Sequence, residues 1–242
     1  MSDFMLRAFV GWDSREAVAF DVCRYSILER VSAPVEVTPI KQQELREAEL
    51  YPRDTDPLAS TEFTYTRFFV PYLMGYQGWA LYCDCDFLWL SDLAELFAVA
   101  DERYAVMCVH HDHRPSENWK MDKQKQTIYP RKNWSSMVLY NCGHPKNRTL
   151  SPELINRETG SFLHRFMWLD DSDIGAVPET WNWLEGSCGK PASGRPKAVH
   201  FTRGGPWLED WRHVDYASLW LAEKDSLMTN SGPSGFRAAE IG

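Results

Sequence analysis

Apolar positions alternate with punctuation from the first residues. Met5–Gly11 is an apolar run that stops at a glycine, the pattern of a buried strand. Asp13 stands three residues before Glu16, a capping-box spacing, and Ala17, Val18, Phe20, Val22 and Ile27 carry a helix to about Arg30. Val35–Ile40 reads as a second strand, so the first forty residues predict a strand–helix–strand unit and a parallel sheet. Residues 41–60 are polar, a loop with one helical turn. Thr61–Met74 reads as a helix, although Phe63, Tyr65, Phe68, Phe69 and Tyr72 do not keep to one face. Trp79–Cys83 is a third strand, followed by Asp84-Cys85-Asp86 and a second apolar run, Phe87–Leu90.

Further along, Asp92 with Glu95 three residues on opens a short helix to about Phe97, and Tyr104–Val109 and Ser135–Tyr140 are strands. The connection 110–134 holds His, Lys, Arg and Trp, and a loop of that length is usually functional. Gly160–Leu169 predicts a helix, Lys197–Phe201 a late strand and Val214–Lys224 a terminal helix. Ser226–Gly242, rich in Ser, Gly and Pro, reads as a flexible tail, leaving one α/β domain over residues 1–225.

Composition narrows the function classes. The chain has 242 residues and a net charge of −8, too acidic for a phosphate backbone to be its partner. No apolar stretch approaches the roughly 20 residues of a membrane helix, and no secretory leader precedes the first strand. Cys23, Cys83, Cys85, Cys108, Cys142 and Cys188 show no zinc-like spacing and read as reduced thiols, so a cytoplasmic location is expected. The 11 Trp, 10 Tyr and 12 Phe suit either a large core or sugar-stacking surfaces, and Trp181, Trp183 and Trp207 are the ligand candidates among them.

Asp-x-Asp occurs three times, at Asp54/Asp56, Asp84/Asp86 and Asp171/Asp173, so the tripeptide alone carries no meaning. Only Asp84 and Asp86 directly follow a buried-strand pattern. Two carboxylates at that spacing can project to one side beyond the carboxyl edge of a parallel sheet, where they are costly unless paired with Arg or Lys or bound to a metal. Two carboxylates suit Mg²⁺ or Mn²⁺, and a histidine ligand tilts the choice to Mn²⁺. His200 is the natural third ligand, at the end of the Ala198–Phe201 run and ahead of Arg203-Gly204-Gly205-Pro206-Trp207. Glycine-turn backbone N–H groups there suit a diphosphate. His110, His111 and His113 form a second cluster, equally readable as a metal site or a solvated loop.

Phe9-Val10-Gly11-Trp12-Asp13, Thr64-Tyr65-Thr66-Arg67 with Pro71, Leu81–Asp86, and His200 with its Gly-Gly-Pro-Trp tail together resemble glycosyltransferase family 8, over about residues 5–207. The resemblance implies a GT-A fold: a Rossmann-like nucleotide-diphospho-sugar transferase with a mixed, mainly parallel sheet flanked by helices. It implies a retaining transfer from a nucleotide-sugar donor, commonly a UDP-sugar, to a saccharide or other hydroxyl acceptor, with Mn²⁺ or Mg²⁺. Carried over by position, Asp84, Asp86 and His200 match the metal ligands, and Val10, Gly11, Trp12 and Asp13 the edge of the nucleotide site. Arg67 matches an arginine directed at the donor, and Asp170 or Asp171 an acidic residue near the sugar.

This chain departs from the family in two places. The family's Asn-Ala-Gly is replaced by Asn133-Trp134-Ser135-Ser136, and Gly205 stands where a diphosphate lysine is expected; Arg203, Gly204 and Gly205, or Lys123 of the long loop, are the remaining diphosphate candidates. Rival readings are a sugar-nucleotide nucleotidyltransferase, which lacks its Gly-rich basic N-terminal loop here, and a non-catalytic nucleotide- or sugar-binding protein. A haloacid-dehalogenase-type phosphatase would place Asp-x-Asp on the first strand.

Overall fold

A computed structural model describes residues 5–54, 56, 57, 59–111, 131–188 and 194–230. His113, Lys123, most of the 110–134 connection and residues 231–242 lie outside the described residues.

The opening unit forms as the pattern predicts. Strand β1 (Leu6–Gly11) pairs in parallel with β2 (Val35–Ile40) on one side and with β3 (Trp79–Cys83) on the other. Its apolar run is continuous because helices or loops cover both faces. Helix α1 (Ala17–Leu28) follows a 3-10 turn, Ser14–Glu16, capped by the Asp13 carboxylate on the Arg15 N–H. Beyond β3, the chain pairs in antiparallel fashion with β6 (Met137–Asn141), which pairs the same way with β5 (Val106–Cys108). Strand β7 (Ile174–Ala176) closes the far edge in parallel with β5, giving the order β2-β1-β3-β6-β5-β7. A second sheet, β4-β9-β8, is built from β4 (Phe87–Trp89), β8 (Trp183–Leu184) and β9 (Ala198–His200).

The helices between strands are short. They comprise α2 (Gln42–Glu47), α3 (Phe63–Thr66), α4 (Val70–Leu73), α5 (Leu93–Phe97), α6 (Pro152–Arg157), α7 (Gly160–His164) and α8 (Ala217–Asn230). The expected single helix 61–74 is split by a 3-10 turn at Arg67–Phe69. Pro71 has no N–H to return to the carbonyl one turn back, and the ladder tightens ahead of it. Its aromatics ignore helical periodicity because Phe63, Tyr65, Phe68 and Phe69 are all buried. The expected helix 160–169 stops at His164: Phe166 takes φ 51° and turns its ring fully into the core. The terminal helix continues to Asn230, so residues 226–230, read as tail, are helical. Among the described residues, no helix is long and apolar enough to cross a membrane.

Candidate active site

The two sheets meet at Asp84-Cys85-Asp86. Asp84 still belongs to the large sheet, its N–H donating to the Ser136 carbonyl at 2.9 Å just ahead of β6. Two residues on, the Asp86 carbonyl accepts from the Phe201 N–H at 3.0 Å, and Phe87 pairs with His200 across β4 and β9. A turn at Cys85-Asp86 joins β3 to β4 and brings the Asp84 and Asp86 carboxylates into one group while the Cys85 thiol is buried in the core. One ligand atom from each of Asp84, Asp86 and His200 lies within 4.8 Å of the others.

Each of the three is positioned by further contacts. Asp84 Oδ1 accepts from the Tyr82 hydroxyl at 2.9 Å and is paired with Arg67 Nη1 at 2.9 Å. Arg67 is itself buried, donating through Nε to the Phe63 carbonyl at 3.2 Å and through Nη1 to the Ser135 carbonyl at 3.0 Å. Burial pushes the Asp84 carboxyl up to about 6, against the opposing pull of Arg67. The His200 ring, stacked on Phe87 with centroids 4.4 Å apart, sets Nδ1 3.0 Å from Asn182 Oδ1. Asn182 is oriented in turn: its Nδ2 donates to Ser136 Oγ at 2.9 Å, and that hydroxyl donates to the Asn133 carbonyl at 2.7 Å. The relay leaves Oδ1 to accept from His200 Nδ1, and Nε2 is turned toward Asp86. Nε2 stands 3.3 Å from Asp86 Oδ1, a buried oxygen with no hydrogen-bond partner.

Two acceptor atoms facing each other in a buried setting need a cation between them, either a proton or a metal. Burial raises the Asp86 carboxyl, but where a proton rather than a metal lies between the two groups His200 outweighs burial and holds the carboxyl below its usual range. Two carboxylates and an imidazole with its far nitrogen already engaged could hold a divalent ion.

These residues open into a cavity of about 730 Å³. Arg67, Asp84, Asp86 and His200 form one wall, and Ser135, Ser136 and Thr202 border them. Ser60, Thr61, Tyr65, Thr159, Ser161 and His164 also line it and make the lining rich in hydroxyl groups.

Other expected site residues lie elsewhere. Asp170 and Asp171 have side chains 80 % and 92 % exposed, ion-paired to Lys146 and Arg131, and neither lines the cavity. They precede β7, and the parallel β5–β7 register puts the other end of that strand at the edge bearing Asp84. Arg203 makes two bonds to the buried Glu185 carboxylate, 3.0 and 3.2 Å, and packs against Gly186. The Gly204 N–H is spent on the Phe201 carbonyl at 2.9 Å, and a Cβ on Gly205 would sit 2.0 Å from the Trp207 ring, so the Gly-Gly pair makes room for packing. Val10 is core, and Trp12 lies under Lys41 Nζ, 5.8 Å from the ring centroid. Asp13 is fully buried and satisfied by Arg15 and the Glu62 N–H. Gly11 is required sterically, since a Cβ would lie 2.6 Å from Tyr82 Oη. Trp181 and Trp183 are 1 % and 5 % exposed, packing residues rather than sugar platforms. His110 stacks flat on Trp134, with ring centroids 4.0 Å apart.

Glu16, read from sequence as a cap partner, belongs to this neighbourhood. Burial pushes its carboxyl up to about 7, helped by the charges of Asp86 and Asp13, and the Cys85 thiol lies 3.8 Å away. Nothing in the local sequence distinguishes it from an ordinary first-turn glutamate.

Comparison with known proteins adds a relative. Protein CDI of Arabidopsis thaliana is 56 % identical over 222 residues, 90 % of this chain and 86 % of the relative. The chain belongs to the Protein CDI family. No family model matches it. The fold is GT-A. The apo glycosyltransferase GlyE of Streptococcus pneumoniae TIGR4 superposes with a TM-score of 0.62 at 16 % identity, over 94 % of this CDI-family chain. The galactosyltransferase LgtC, solved with donor and acceptor sugar analogues, gives 0.57 at 12 % identity over 91 % of this chain and 96 % of its own. Mouse xyloside xylosyltransferase 1 gives 0.52 at 10 % identity, over 82 % of this chain and 98 % of its own. The CDI-family chain spans 63 % of the GlyE chain and 52 % of the bifunctional WbbM.

Proposed function

We propose that this protein is a metal-dependent glycosyltransferase of the family 8 type, moving a sugar from a nucleotide-sugar donor, most simply a UDP-sugar, to a hydroxyl acceptor with retention of configuration. The observation that carries the reading is the Asp84, Asp86 and His200 cluster, with His200 Nε2 3.3 Å from Asp86 Oδ1, at the wall of a hydroxyl-lined cavity in a GT-A fold. Glycosyl transfer leaves negative charge on the departing diphosphate and positive charge on the sugar ring, and a divalent ion held by Asp84, Asp86 and His200 would act there as a Lewis acid.

The chain's own residues supply the rest. Arg67 braces Asp84 and places a fixed positive charge beside the leaving group. Asn182 keeps the His200 proton on Nδ1, so that Nε2 stays a ligand atom. The arginines among the described lining residues are Arg67, paired with Asp84, and Arg53, which donates to the Ile155, Asn156 and Glu158 carbonyls, while Arg203 is engaged by Glu185. The same reading takes the chain as one GT-A unit, and five buried free thiols support a reducing, cytoplasmic setting. A donor panel of UDP- and GDP-sugars, screened for Mn²⁺-dependent release of free nucleotide with product anomers read by NMR, tests it. Metal-dependent release with a retained anomer supports the reading; release unaffected by chelation, or none from any donor, rejects it.

A further inference from the structure

The link between the two carboxylate ligands is held at its ends and by its side chain. Asp84 is fastened to the large sheet through Ser136, and Asp86 to the small sheet through Phe201, but no backbone hydrogen bond joins Cys85 to another described residue. The Cys85 side chain is fully buried instead, and its thiol donates to Glu16 Oε2 at 3.8 Å. Glu16 ends the 3-10 turn that follows β1 and immediately precedes α1.

The same carboxyl meets the segment that carries the third ligand. Trp207 stands on the chain leaving β9 after His200, where its ring occupies the space a Cβ on Gly205 would need. It lies edge-on to Phe201, the residue that bonds Asp86, with centroids 6.2 Å apart. The indole nitrogen is buried and makes no full hydrogen bond. Burial raises the Glu16 carboxyl and Trp207 pulls it back down, so the indole N–H, the one polar group on that side chain, faces it. Glu16 does not line the cavity, so it acts from behind the ligands and not on a bound molecule.

We propose that Glu16 is a positioning residue for the cation site: its carboxyl accepts from the Cys85 thiol on one side and the Trp207 indole on the other, and so holds the Asp84–Asp86 link in register with the segment of His200. This rests on the reading of Asp84, Asp86 and His200 as cation ligands and adds a residue that binds no cation itself. Outer partners that orient a ligand directly are worth about 10- to 100-fold in metal affinity, and a weak thiol donor one step further out is worth less, about fivefold. The rival role is bare charge, a carboxylate near Asp86 that adds to the attraction for a cation without holding anything. A glutamine separates the two, since its amide oxygen still accepts while the charge is gone.

The test is the Mn²⁺ affinity of the full chain, by competition against a fluorescent chelator at pH 8, above the raised values of Asp84 and Glu16 at about 6 and about 7. Glu16→Ala should weaken Mn²⁺ binding about fivefold, Glu16→Gln should stay within about twofold of the wild type, and Cys85→Ala should lose about as much as Glu16→Ala. Because the two groups act through one contact, the double variant should lose about as much as either alone. Melting in EDTA accompanies each variant: one that melts lower yet binds Mn²⁺ as the wild type does has lost a structural contact only, and overturns the inference. A Glu16→Gln loss equal to that of Glu16→Ala, the signature of charge, also overturns it, as do losses that add in the double variant. Cys85→Ala keeps the carboxyl and carries the test should Glu16→Ala fail to fold, and an unchanged Mn²⁺ affinity there overturns the inference on its own. A wild type that binds no Mn²⁺ overturns the cation reading itself, and this inference with it.

Discussion

His200 Nε2 stands 3.3 Å from Asp86 Oδ1, a buried oxygen with no hydrogen-bond partner. The arrangement is imposed from behind, by Asn182 on the imidazole Nδ1 and by Ser136 on Asn182. Removing the relay without touching a ligand should therefore weaken the site. Asn182→Ala is expected to lower Mn²⁺ affinity roughly 10- to 100-fold, the usual cost of losing an outer partner of a metal-bound histidine. Competition against a fluorescent chelator measures it, and an affinity equal to wild type contradicts the role given to Asn182.

Arg67 and Asp84 form a buried ion pair at 2.9 Å, with side chains 7 % and 11 % exposed. Truncating one partner leaves an uncompensated charge, which costs about 3–5 kcal/mol in buried settings. Arg67→Ala should lose about that much stability to urea in EDTA. In Mn²⁺ the loss should shrink, because a cation on Asp84 replaces the missing partner. An equal loss in both buffers would mean that no cation reaches Asp84.

The metal-free protein should become less stable as pH rises from about 5 to 8. Asp84, pushed to about 6, and Glu16, pushed to about 7, both hold protons in the folded state that the unfolded chain has released. Their contribution is present below about pH 4 and lost as pH climbs through those raised values. Asp13 and Asp86, held below the usual range, act only below about pH 4 and do not oppose the trend in this window. Thermal melts in EDTA at several pH values measure it, with Glu16→Gln expected to flatten the slope. A melting temperature that rises across the interval contradicts the assignment.

Gly11→Ala should destabilise without touching a ligand. The added Cβ would lie 2.6 Å from Tyr82 Oη and 2.7 Å from Phe63 Cγ, so the hydroxyl that bonds Asp84 must shift. Overpacking of this kind costs about 1–3 kcal/mol, or roughly 2–10 °C in melting temperature for a chain of this size. An unchanged melting temperature would mean that the β1 end has more room than its contacts indicate.

Much of this site was legible in the chain before any coordinates. Asp84 and Asp86 stood out because a five-residue apolar strand ends at them, and His200 because a second one does. What joins them was not: β9 meets β4 only through tertiary pairing, and β8 is two residues long, too short for any periodicity. Asn182 lies between two tryptophans that suggested a sugar platform, yet those indoles are core and the asparagine between them is the working residue. Asp170 and Asp171 occupied the right place in the order of motifs but face solvent, because β7 runs away from them toward the site edge. The helices are shorter than the apolar pattern predicts where Pro71 and the left-handed Phe166 break the ladder.

The central claim is that Asp84, Asp86 and His200 hold a divalent ion through which a nucleotide diphosphate binds. Titration of UDP into the wild type and into Asp86→Asn, each with Mn²⁺ and again in EDTA, tests it most directly. The account predicts saturable binding by the wild type in Mn²⁺ only, weakened at least about tenfold in Asp86→Asn. Equal binding in EDTA, or an Asp86→Asn protein that binds UDP as the wild type does, would contradict it.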